Sequence, residues 1–225
     1  MSRFIDSNAS SNTLVPPIGA YFMENLVSLE ESLKHLKSSM QELDRYIATA
    51  KQHCHLPCSY NLTKDESAAI YLYSMEAGDY SIYRMLNQAL RAEDRKLLVP
   101  WFPYLKLIDT ALNKLPNMEA TIWRGIQIDV LPKMTQGQRI KWWGISSCSL
   151  DMNIIKSFLG PKSIVFMIEA LYAKDVSAYT SFKKEKEFLL LPGTQLIVID
   201  ELTMSNDACQ LIKLREMSNG KLHIF

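Results

Sequence analysis

Glycine is scarce in this chain, and what there is does not build a phosphate-binding loop. Its eight glycines in 225 residues form neither G-x-G-x-x-G nor G-x-x-x-x-G-K-[ST]. A dinucleotide-binding Rossmann unit and a P-loop are therefore not indicated. Four cysteines, at 54, 58, 148 and 209, are too few and too scattered for a disulfide framework, and they suit a reducing, cytoplasmic setting. A run of about 18 apolar residues, as a helical membrane span requires, is missing, and the first residues lack the apolar core of a cleavable signal. Charge of one sign is lacking too: the net charge is +1, with no block of five like charges. Bulk electrostatics thus point away from nucleic acid and from acidic membrane surfaces. What remains is 48% hydrophobic and 22% charged, an ordinary globular composition, long enough for one α+β domain or two small lobes.

Residues 1–20 are polar, rich in Ser and Asn, and read as a flexible leader ending near Pro16-Pro17. From there the pattern is helical to about residue 120. Leu26, Leu29, Leu33, Leu36, Met40, Leu43 and Ile47 recur at steps of three and four. That spacing predicts one long amphipathic helix over 26–47, laid on its own domain; the same spacing would also serve as a coiled-coil seam for a homodimer. Thr63 and Glu66 stand at capping-box spacing before the next helix. Further helices follow over 80–91 and 104–115, and Pro116 ends the last. At about Thr121 the pattern turns to short β-branched or aromatic runs at 122–126, 140–143, 163–168, 188–191, 195–199 and 210–214. A short helix falls near 153–158. Helices first and strands second means an α+β fold, with a helical lobe over 21–120 and a β core over 121–225.

Few residues offer chemistry. His53-Cys54-His55-Leu56-Pro57-Cys58 packs four ligand-capable side chains together. A structural zinc site needs a second, distant ligand cluster, so this stretch reads as a loop and no metal is expected. Trp123-Arg124-Gly125 places a cation inside an apolar strand. That is either an edge arginine snorkelling to water or a guanidinium fork for a phosphate or carboxylate. Ser147-Cys148-Ser149 ends another strand. Glu185 and Glu187 stand two apart at the mouth of Phe188-Leu189-Leu190-Leu191-Pro192-Gly193. If the strand starts early enough, both carboxylates face one pocket, about 6–7 Å apart along it; otherwise they are two solvated glutamates on a lysine-rich turn.

Arg124, then Ser147-Cys148-Ser149, then Phe182-Lys183-Lys184-Glu185-Lys186-Glu187, each on its own strand and in that order, resembles the Arg–Ser–Glu class of mono-ADP-ribosyltransferases. That class includes C3-like and iota-like bacterial toxins, vertebrate ecto-transferases and similar invertebrate enzymes. The resemblance covers about 121–215, with the helical half similar to the family's N-terminal lobe. It implies a split β-sandwich that takes NAD as co-substrate without a Rossmann unit or a metal. By resemblance, Arg124 binds the NAD phosphates and Gly125 offers its backbone to the nicotinamide amide. Ser147 orients Glu187, which stabilises the cation formed as nicotinamide leaves. Ser149 completes the serine motif, and Phe158 contacts the nicotinamide side. Glu185 implies arginine as acceptor, on a protein or a small guanidino compound, with Phe182 on the recognition turn.

Cys148 stands where the family has Thr, which raises the expectation of a site sensitive to oxidation. Two other activities fit the same residues: an NAD glycohydrolase that uses water as acceptor, and a non-catalytic interaction module.

Overall fold

In the computed structural model, which describes residues 19–57, 59–127, 134–160, 163–203 and 209–218, the ladder over 26–47 folds as three short pieces and not as one helix. These are α1 (Leu29–Ser32), a 3-10 turn (Lys34–Leu36) and α2 (Leu43–His53). The serines between the leucines explain the breaks. The Ser32 hydroxyl donates to the Leu29 carbonyl at 2.8 Å and the Ser39 hydroxyl to the Leu36 carbonyl at 2.9 Å. Such bonds offer the backbone an alternative to continuing the helix. Leu29, Leu33, Leu36, Met40, Leu43 and Ile47 are each at most 5% exposed, whereas Leu26 is 50% exposed. The apolar face is used inside the chain's own core. The continuous helical seam that a homodimer would need is not there.

Two compact units arise, one from 19–116 together with 176–184, the other from 117–175 together with 185–218. In the helical unit the capping box is made as its spacing predicts. Glu66 N–H donates to Thr63 Oγ1 at 3.2 Å and Thr63 N–H to Glu66 Oε2 at 2.7 Å, opening α3 (Lys64–Ser74). Glu66 is fully buried and carries a second duty, an ion pair with Lys114 at 2.7 Å. This pair ties α3 to the end of α5 (Phe102–Lys114). Between them runs α4 (Ile82–Arg91). The stretch 176–184, expected in the β half, packs in this helical unit. Ser181 N–H donates to Ser74 Oγ at 2.8 Å, Ser181 Oγ–H donates to the Ser74 carbonyl at 3.1 Å, and Tyr179 meets the ring of His55 edge-on at 5.6 Å. The His53 Nδ1–H donates to the Thr49 carbonyl at 2.9 Å. Cys58, and residues 1–18 of the leader expected over 1–20, lie outside the described residues.

The other unit holds β1 (Met118–Gln127), β2 (Arg139–Trp142), β3 (Ser146–Ser149), α6 (Met152–Lys156), β4 (Ser163–Asp175), β5 (Glu187–Leu190), β6 (Thr194–Thr203) and β7 (Cys209–Glu216). Strand order is β1-β3-β5-β4-β7-β6-β2, and β1 also pairs with β4, so the first four strands close a circuit. β4 makes this possible. Along 163–169 it lies parallel to β7, and at 174–175 it pairs with β5 instead. Where it leaves β7, a side chain replaces the ladder: Glu216 Oε2 accepts the N–H groups of Leu171 and Tyr172 at 2.7 and 3.0 Å. Ile122, Ile126, Trp142, Cys148, Phe166 and Leu214 belong to the core that this arrangement encloses.

Burial pushes the Glu216 carboxyl above its ordinary pKa, against the two amides that pull it down. A folded pKa above the unfolded one means that the protonated form favours folding. That contribution is complete below the ordinary value and is lost as pH rises through the folded value. Glu216→Gln keeps an acceptor for both amides and removes the charge. It should unfold at a higher urea concentration than the parent at pH 8, with the advantage gone at pH 4; an advantage independent of pH would show that the carboxyl charge is not the cause.

Candidate active site

Three neighbouring strands carry Arg124, Ser147, Ser149 and Glu187. Trp123 of β1 is the Cα partner of Ser149 on β3, and Ser149 is the partner of Glu187 on β5. Directly paired residues share a face, and alternation assigns the rest. Ser147, Ser149, Glu187 and Leu189 lie on one face of β3 and β5. Cys148, Phe188 and Leu190 lie on the other and join the core. Ser147 is 1% exposed, Ser149 and Glu187 0%. The buried Ser147 hydroxyl has no hydrogen-bond partner among the described residues. A buried hydroxyl without a partner is costly, and such groups mark places where a ligand supplies the missing bond.

Arg124 alternates with Ile122 and Ile126 of the core and is 2% exposed. It is not a snorkelling edge residue. Its Nη1 donates to the Ser147 carbonyl at 2.7 Å, and its guanidinium carbon lies 5.9 Å from the centre of the Trp142 ring. Trp142 in turn meets Phe166 edge-on at 5.4 Å. The guanidinium therefore braces the backbone of β3 at the residue whose hydroxyl is held ready. Trp142 is a contributor that its strand pattern does not mark; its partner Arg124 lies 18 residues earlier in the chain, and no local spacing links them. Gly125 is buried beside Arg124 and pairs with Val165 of β4.

The glutamate pair does not sit on one strand. β5 begins at Glu187, while Glu185 closes a 3-10 turn (Lys183–Glu185). Between them Lys186 adopts φ 46°, the left-handed region that non-glycine residues seldom occupy. The two glutamates therefore sit in different settings. Glu187 is wholly buried at the strand start, and Glu185 is half-buried on the turn. Ser149 fixes the arrangement. Its hydroxyl donates to the Glu185 carbonyl at 2.7 Å and accepts the Asp151 N–H at 3.0 Å. The Leu150 N–H adds a bond to the Lys186 carbonyl at 3.3 Å. Asp151 also caps α6 through the Asn153 N–H at 2.9 Å. Phe158 follows α6, partly buried, its N–H bonded to the Ile155 carbonyl at 3.0 Å. Phe182, 39% exposed, belongs to the stretch that packs in the helical unit.

Cys148 is not the oxidation-sensitive point its position suggested. It is fully buried, and burial pushes its thiol up to about 12, with Arg124 opposing and Glu187 and Glu216 adding to the rise. Oxidation and alkylation need the thiolate. Treated with iodoacetamide at pH 8 in the native state, Cys148 should remain unmodified by peptide mapping while the half-buried Cys54 is labelled; both should label in urea. Native labelling of Cys148 would contradict this placement.

A family model described as NAD:arginine ADP-ribosyltransferase matches residues 22–221. Among curated proteins, the chain is similar to Mav of Mycobacterium avium (strain 104), which is named, provisionally, an NAD(+)-arginine ADP-ribosyltransferase. The two are 28% identical over 164 residues, 72% of this chain but only 19% of Mav, so the chain spans about a fifth of that relative's length. Among solved structures, the ADP-ribosyltransferase Vis from Vibrio splendidus, determined in complex with agmatine, matches with a TM-score of 0.58 at 20% identity, over 90% of this chain and 92% of that one. The type III effector XopAI from Xanthomonas axonopodis pv. citri matches with a TM-score of 0.65 at 18% identity, over 89% of this chain and 92% of the other. At these identities the structural likenesses speak to the fold.

Proposed function

Since the chain belongs to the NAD:arginine ADP-ribosyltransferase family, we propose that it transfers ADP-ribose from NAD to arginine side chains of acceptor proteins or to small guanidino compounds. The observation that carries this reading is the division of the two carboxylates. Glu187 is buried on one face with the Ser147 hydroxyl, and Glu185 stands outside on a turn that Ser149 tethers.

In this scheme the bond between the nicotinamide nitrogen and the ribose breaks, and its electrons leave with nicotinamide. Glu187 supplies a fixed negative charge to the cation that develops on the sugar. A preorganised charge of this kind, already out of water, gives its stabilisation without reorganisation at the moment of reaction. Ser147 orients that carboxylate or bonds the substrate directly. Arg124 holds β3 and brings positive charge for the NAD phosphates, and Gly125 leaves the adjacent backbone open to close approach. Phe158 lines the nicotinamide side. The incoming guanidinium, with a pKa above about 12, is a poor nucleophile until a base takes its proton. In this reading Glu185 takes that proton as the new nitrogen–carbon bond forms, and Phe182, three residues before it in the chain, belongs to the recognition turn. A structural relative was solved with agmatine, a guanidino compound, which supports this acceptor class. A reducing compartment fits the free thiols Cys54 and Cys148. No helix among the described residues is long and apolar enough to cross a membrane.

With NAD and agmatine, mass spectrometry should detect an ADP-ribosyl-agmatine adduct. Glu187→Ala should lower both adduct formation and nicotinamide release by on the order of 100- to 1,000-fold. Glu185→Gln should abolish the adduct while nicotinamide release to water persists. Nicotinamide release without any adduct in the parent protein would instead favour the glycohydrolase.

A further inference from the structure

Lys174 is the one buried lysine among the described residues, 4% exposed. It lies one residue from the end of β4, where that strand has left β7 and pairs with β5. Its Cα partner is Leu189, and the partner of Leu189 across β5 and β3 is Ser147. Lys174, Leu189 and Ser147 thus form one row across three strands. Glu187 sits two residues before Leu189 on the same strand face, so it is diagonal to both Lys174 and Ser147. Diagonal neighbours on a sheet are about 7–8 Å apart at the backbone, within reach of a long side chain. The next residue back, Ala173, points the other way and joins the core.

An ammonium taken out of water requires an anion or a set of acceptors. Three carboxylates on β4, β5 and β7 come into question among the described residues. Asp175 alternates to the opposite face of β4 and is exposed, and Glu216 is engaged with the Leu171 and Tyr172 amides. Glu187 is the carboxylate that shares the face of Lys174. Nothing in the order Arg, Ser-x-Ser, Glu-x-Glu calls for a lysine on the strand between them.

We propose that Lys174 is a positioning residue, its ammonium paired with the Glu187 carboxylate across the β4–β5 diagonal so that the carboxylate is aimed at the reacting sugar beside Ser147. This deepens the transferase reading and rests on it for its catalytic part; the pairing itself does not.

The test is a double-mutant cycle with Lys174→Met, Lys174→Arg and Glu187→Gln, followed both by urea unfolding and by nicotinamide release from NAD. Methionine keeps the apolar stem and removes the charge. In the parent background Lys174→Met should lower kcat on the order of 100-fold, the cost of misplacing a reacting group, with KM for NAD within about threefold. Lys174→Arg should recover most of the loss. In the Glu187→Gln background, Lys174→Met should cost no further activity, and its effect on the urea midpoint should shrink or reverse, since the pair is already broken. Parent-like kcat in Lys174→Met would overturn the proposal, as would equal shifts of the urea midpoint in both backgrounds. If Lys174→Met folds only alongside Glu187→Gln, the pairing stands; if it folds in neither background, the pairing is wrong. The urea cycle decides the pairing even in a protein that released no nicotinamide, so failure of the transferase reading is told apart from failure of this one.

Discussion

A guanidinium placed among apolar side chains organises the β unit. Arg124 shares a strand face with Ile122 and Ile126 and lies over the ring of Trp142. Once there, its charge must be answered by hydrogen bonds in fixed directions, because a buried charged donor left unmade costs more than an ordinary hydrogen bond contributes. One such bond runs from Nη1 to the Ser147 carbonyl at 2.7 Å. That bond pins β3 at the point where its side chains turn toward the opposite face. From it the position of Ser147 follows, and through the β3–β5 register, so does that of Glu187.

The second constraint is the short path from β3 to the turn that carries Glu185. Ser149 reaches across to the Glu185 carbonyl, and Leu150 to the Lys186 carbonyl. These two bonds hold a turn that contains a left-handed lysine at φ 46°. A non-glycine residue keeps that conformation only when its surroundings over-determine it. The result is two carboxylates with different environments two residues apart: one in the sheet, out of water, the other half in solvent. A reaction that stabilises a sugar cation and then deprotonates an incoming base needs carboxylates in both settings.

Much of this was legible in the chain, and the misses have physical causes. The capping box at Thr63 and Glu66 forms as read, because its geometry depends on four consecutive residues. The strands around Ile122, Ile164, Leu189, Val198 and Ile212 were visible from β-branched and aromatic runs. β3 was only half visible, since Ser146-Ser147-Cys148-Ser149 has little strand propensity and is held by its neighbours and by Arg124. The ladder over 26–47 pointed to one helix, but periodicity reports a buried face and is silent on serine hydroxyls that break the backbone pattern. The strand geometry expected for Glu185 failed at Lys186, where a left-handed residue carries no sequence mark unless it is glycine or asparagine. Packing of 176–184 in the helical unit depends on Ser74 and Ser181, 107 residues apart, a separation that no local pattern reports.

In the proposed transferase, the face shared by Ser147 and Glu187 receives the nicotinamide ribose. A crystal structure with a non-cleavable carbocyclic analogue of NAD would test it most directly. A ribose hydroxyl should lie within about 3 Å of a Glu187 carboxylate oxygen, with the Ser147 hydroxyl bonded to that carboxylate or to the analogue. An analogue bound with its nicotinamide ribose away from β5, or with Ser147 and Glu187 untouched, would contradict it.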